Sequence, residues 1–103
     1  MMSARLSAEP FIEEFPRLLE GRGLSLRAAA RLAGVGPGHL SRALRGADGK
    51  TPGPQLIERL AVALGLPEDY FPEVREARVL SAVRADAALR DRLYFELHPD
   101  RRG

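Results

Sequence analysis

Apolar residues recur along most of this chain at steps of three and four, the spacing that keeps them on one face of a helix. Phe11, Phe15, Leu18 and Leu19 mark a first such run, which predicts a helix over roughly 11–21. Pro16 interrupts it. Inside a helix a proline removes a hydrogen bond and crowds the preceding turn, at ~3 kcal/mol, so a start near Glu13, with Pro16 in the first turn, is the favoured reading. Gly21 and Gly23 end the run. Leu56, Ile57, Leu60, Ala61 and Leu64 form a second, cleaner stripe. Pro54 suits the first position of that helix and Gly53 its cap. Gly65 and Pro67 stop it, and the apolar Phe71 follows four residues later. Val74, Ala77, Leu80 and Val83 outline a fifth helix. Asp86 is placed to cap a sixth, carrying Leu89, Leu93 and Leu97 on one side and Tyr94 and Phe95 on another.

The stretch from Gly23 to Gly46 is organised differently. It reads as a short helix over about 26–33, a glycine turn, a second short helix over about 37–45 and a glycine stop. Ser25 can cap the first with its hydroxyl. Ala28, Ala29, Ala30 and Ala33 favour helix and carry almost no bulk, which suits a steep, close helix crossing. Gly34 stands where a left-handed residue closes the helix, Val35 plugs the turn, and Pro37 opens the next helix. Gly-Ala-Asp-Gly-Lys-Thr-Pro-Gly, residues 46–53, is a loop by its turn residues. The expected core comprises Ala30, Leu32, Val35, Leu40, Leu60, Ala61, Leu64 and Phe71.

Charge sharpens the picture. The 103 residues sum to only +2. Residues 22–50, however, hold Arg22, Arg27, Arg31, Arg42, Arg45 and Lys50 against Asp48 alone, a local +5 that leaves −3 for the other 74. A basic face inside a near-neutral chain is what phosphate neutralisation requires. Cysteine is absent, so there is neither a disulfide framework nor a cysteine zinc site. No apolar run approaches the ~18 residues of a membrane span, and the first ten residues lack the apolar region of a signal peptide; a cytoplasmic location and no membrane partner are the expectation. His39 and His98 have no companion at metal-ligand spacing, and there is no phosphate loop or carboxylate–base constellation. The chain is not expected to be an enzyme or to need a cofactor.

Leu24-Ser25, Ala29-Ala30, Gly34-Val35, Leu40-Ser41-Arg42, Arg45-Gly46 and the later Ala61-x-x-Leu64-Gly65-Leu66 together resemble the Cro/C1-type, phage-repressor-like helix-turn-helix family, over roughly residues 10–71. The resemblance implies an all-α fold, a compact five- to six-helix bundle with a lambda-repressor-like helix-turn-helix domain and a C-terminal helical extension. It implies a DNA-binding domain, placed over 10–72; the residues before it, 1–9, read as a mobile arm, and 73–103 as an extension beyond the family's domain. It further implies a transcriptional regulator, a repressor, that binds double-stranded DNA sequence-specifically with helix 37–45 in the major groove. Pro37, Gly38, Ser41 and Arg42 then face base edges, with Arg42 alone able to make a bidentate guanine contact. Arg27, Arg31, His39, Arg45, Lys50 and the helix start at Gly53 fall to phosphates.

Three positions depart from the family pattern: Gly36 replaces a hydroxyl cap, Leu26 a frequent Gln, and Leu44 a frequent Glu. They keep open a second function, a helix-turn-helix adaptor or antitoxin-like module with weak or no DNA binding. The tail's apolar surface must be covered by its own domain or by a homodimer partner; its composition favours the first.

Overall fold

The computed structural model describes residues 5–46 and 52–101, and these form six α-helices and a closing 3-10 turn, with no strand among them. The helices are α1 (Phe11–Arg22), α2 (Leu26–Ala33), α3 (Pro37–Leu44), α4 (Pro54–Ala63), α5 (Pro72–Ala85) and α6 (Ala87–Leu97); the turn is Pro99–Arg101. One core joins α1 to α4 and the start of α5. Phe11, Phe15, Leu40, Ile57, Leu60 and Phe71 are its largest fully buried side chains. Ala29 and Ala30 line the closest approach of α2, and Val35 packs against the same cluster from the turn.

The helix ends follow from local chemistry. Ser25 accepts from the Ala28 N–H at 3.1 Å. Gly34 closes α2 at φ 71°, in the left-handed region, and Gly65 follows α4 at φ 76°. Pro37 and Pro54 each occupy the first turn of their helix behind a glycine cap.

Helix α1 corrects the late start. It begins at Phe11, with Pro16 in its interior. A contact 62 residues away holds that start: both Glu73 carboxylate oxygens accept from the Phe11 N–H, at 3.0 and 3.1 Å. A carboxylate at a helix N-terminus also opposes the helix dipole favourably. Phe11 stacks on Phe15 with ring centroids 4.8 Å apart and meets Phe71 edge-on at 5.0 Å. Burying two phenylalanines is worth about 3–6 kcal/mol, enough to offset a proline whose ring lies on the exposed side.

Within the arm expected over 1–9, Ser7 is fastened to the domain. Ser7 is buried and donates its N–H to Tyr70 O, while Arg75 donates to the carbonyls of Ser7, Asp69 and Tyr70. The Tyr70 hydroxyl donates to Glu14 at 3.1 Å; burial, then this acceptor, pushes its pKa up.

Leu32 leaves the expected core. It is 57% exposed, because it lies roughly a third of a turn from the middle of the Ala29–Ala30–Ala33 face. With Val62, Ala33 and Ala63 it lines a shallow groove of about 310 Å³ between α2 and α4. The fold-back of the tail is also corrected: α6 buries no residue and makes its substantial contacts with α5 and the 3-10 turn.

Ala30 tests the close packing. It is fully buried, and Ala30→Leu should cost ~1–3 kcal/mol through overpacking. Each kcal/mol lowers the melting temperature of a domain this size by about 4–8 °C, so a thermal melt unchanged from wild type would contradict the crossing.

Candidate nucleic-acid interface

The geometry of the α2–turn–α3 unit rests on three restraints. The Val35 N–H returns to Ala30 O at 2.9 Å and the Gly34 N–H to Arg31 O at 3.2 Å, closing α2 in the paired manner of a left-handed glycine cap. Leu40, fully buried, anchors α3 to the core. Arg59 of α4 supplies the third restraint, donating to Ala33 O at 2.9 Å and Gly34 O at 3.3 Å. A Cβ on Gly34 would stand 3.3 Å from that guanidinium, in a backbone conformation that already favours glycine.

With Leu40 turned inward, α3 presents the other side outward. Pro37, Gly38, Ser41, Arg42 and Arg45 fall within an arc of roughly 140° at about 100° per residue. All are exposed except Ser41, which is half-buried. His39 is exposed just beyond the Arg42 edge of the arc. Gly36 offers no side-chain cap, so the first N–H groups of α3 keep their capacity to donate to an anion. Leu26 packs against the core cluster instead of reaching outward. Leu44 also packs there, which accounts for an apolar residue late in α3.

The arginines divide into two groups. Arg22 donates to Leu64 O at the end of α4, so this residue of the basic stretch ties α1 to α4. Arg75 and Arg78 are similarly engaged, the latter with Glu58 at 2.9 Å and Glu68 at 3.2 Å. Arg27, Arg31, Arg42 and Arg45 are exposed, and among the described residues none of their guanidinium groups has a hydrogen-bond or ion-pair partner. No Asp or Glu occurs between Gly21 and Ala47 to neutralise them. Gly53 is exposed at the start of α4, again without a side-chain cap. Lys50 lies outside the described residues. Among those residues no group of His, Cys, Asp and Glu could hold a metal, and no helix is long and apolar enough to cross a membrane.

A family model described as a helix-turn-helix domain matches residues 13–77, from the first turn of α1 to the point where α5 leaves the core. The chain belongs to the helix-turn-helix domain family. Within that family it falls in the Cro/C1-like group, as the order of its turn and helix residues implied. No curated protein and no solved structure matches it. A helix-turn-helix domain of this type makes the chain a DNA-binding regulator in broad terms.

Sequence reasoning missed Arg59, Glu73 and Arg75. Each stands off an apolar stripe and looks like ordinary surface charge. Only the folded chain brings Arg59 to a turn 25 residues earlier, and Glu73 to a helix start 62 residues earlier.

Proposed function

We propose that the chain is a sequence-specific double-stranded DNA-binding transcriptional repressor that lays α3 in the major groove. The observation that carries this reading is the exposed arc of α3, which holds Arg42 and Arg45 and is flanked by Arg27 and Arg31, four guanidinium groups without a partner among the described residues and with no carboxylate between Gly21 and Ala47. Arg42 supplies the directional contact, a two-pronged donor to guanine O6 and N7. Ser41 adds one hydroxyl. Pro37 and Gly38 carry no side-chain donor and act by letting the backbone approach the base edges. Arg27, Arg31, His39, Arg45 and Lys50, with the α4 start at Gly53, neutralise or bond phosphates and fix the register. Repression needs no further chemistry than occupancy of a site that another protein must use.

The adaptor reading is favoured by one observation: Leu26 is partly buried against the core, an apolar side chain where a polar contact from the start of α2 would otherwise stand. Selection from random duplex DNA with the purified protein separates the two. Enrichment of a defined site supports the repressor; no enrichment favours the adaptor. The salt response gives a second measure. Five or six phosphate contacts should make log K fall with log salt at a slope of about −5, and Lys50→Ala should reduce that slope by about one. An apolar protein contact would be nearly indifferent to salt.

A further inference from the structure

Arg59 stands on α4 but gives its donors to the turn that precedes α3. Its neighbours Ile57, Leu60 and Ala61 are buried, so the helix that carries it is a fixed part of the core. One guanidinium nitrogen, Nη2, donates to Ala33 O at 2.9 Å and to Gly34 O at 3.3 Å. These carbonyls lie at the end of α2, where a helix leaves its last acceptors without an internal partner. Ala33 O cannot be served by the residue four places on, because Pro37 has no N–H. A cation there also meets the negative end of the helix dipole. Two carboxylates, Glu58 and Glu68, line the same groove as Arg59 and are alternative partners for it. Arg78 holds both, at 2.9 and 3.2 Å, which leaves Arg59 to the turn.

The turn needs such an outside restraint. Backbone bonds from Gly34 and Val35 close its α2 side, but Gly36 gives α3 no side-chain cap. Three residues, two of them glycine, join the helices, and glycine leaves the backbone many conformations. We propose that Arg59 is a positioning residue for sequence recognition, which fixes the angle at which α3 leaves the turn and touches no DNA itself. The role rests on the reading of α3 as the DNA-recognition helix. Helix α4 ties the restraint to selectivity. Gly53, at the α4 start, is assigned to a phosphate, and Arg59 lies six residues, about 9 Å, further along the same helix. Phosphate contacts set the register and base contacts read the sequence. Arg59 joins the first to the second through one rigid element. Supporting groups of this kind hold a recognition constellation to within about 0.5 Å.

Arg59→Ala tests the role with two readouts. Without DNA, hydrogen exchange at the Gly34 and Val35 amides should quicken by about 2- to 12-fold, the worth of one net hydrogen bond. Amides within the core helices should exchange as in wild type. With DNA, the ratio of affinity for the selected site over a scrambled duplex should fall by about 2- to 30-fold, the range for residues that act without touching the ligand. Affinity for the scrambled duplex and its salt slope should stay at wild type, since Arg59 neutralises no phosphate. The melt should shift little, because both bonds are exposed. Arg90→Ala removes the same charge from α6 and should move neither readout. A wild-type ratio in Arg59→Ala overturns the proposal, as does unaltered exchange at the turn. Equal loss on both duplexes, with a slope lower by about one, also overturns it and makes Arg59 a phosphate contact. A wild-type chain that selects no site removes the DNA-binding reading and the recognition role with it. The exchange result then decides by itself whether Arg59 holds the turn.

Discussion

Truncation of Phe71 to alanine is expected to lower stability by about 3–5 kcal/mol, the usual range for emptying a fully buried phenylalanine site. Phe71 is 0% exposed and sits where three chain segments meet. Its ring contacts Phe11 edge-on at 5.0 Å and Tyr70 at the same separation. It also occupies the position just before α5, whose next residues supply the Glu73 carboxylate to α1 and the Arg75 guanidinium to Ser7, Asp69 and Tyr70. The cavity cannot be filled by a simple shift of one neighbour, because Phe11 is stacked on Phe15 and Val74 is already buried. A domain of this size has roughly 5–15 kcal/mol in total, so the variant should melt far below wild type and be largely unfolded on modest heating. The measurement is the urea midpoint at constant m-value. A loss below 1 kcal/mol would show that the ring cluster does not fasten α1 to α5.

Residue pattern made the middle of the domain legible because its signals are local. Ser25 caps α2 three residues on, Gly34 takes a left-handed backbone where a turn needs one, and Pro37 and Pro54 open their helices. Each such device acts over a few residues, so the sequence alone carries it. The start of α1 was not legible in this way. Its cap comes from Glu73, and neither residue's neighbours announce the other. Leu32 shows a different limit: a leucine near an apolar face is not on it, and on a helix of eight residues one position decides between core and surface. The tail shows a third. An apolar stripe states that something will cover it, and the spacing of Val79, Leu80 and Val83 does not say whether that is the chain's own core or another surface. For the interface, the exposed arc of α3 followed from the inward leucine at 40. The separation of Arg22 from the other arginines did not, since a donor to Leu64 O and a donor to phosphate look the same in a string of residues.

Arg42→Ala is expected to cost ~1–3 kcal/mol, about 5- to 150-fold in affinity, on the best DNA site and to relax preference at one base pair. The magnitude follows from the sparseness of the reading head. Pro37 and Gly38 contribute no donor and Ser41 only one hydroxyl, so none of the other residues assigned to base edges can replace a two-pronged guanidinium. The substitution should leave the fold unaffected, because Arg42 is exposed and has no partner among the described residues. Arg45→Ala is the informative companion, one helical turn further along the same arc. A phosphate contact carries no base information, so Arg45→Ala should weaken specific and random duplexes about equally and lower the salt slope by about one. Titration of both variants against the selected site and a scrambled duplex, at two salt concentrations, distinguishes the roles. Equal loss on both duplexes for Arg42→Ala would remove it from base recognition and leave α3 with only backbone and hydroxyl contacts. Discrimination would then have to come from the sequence-dependent shape of the groove in which α3 lies.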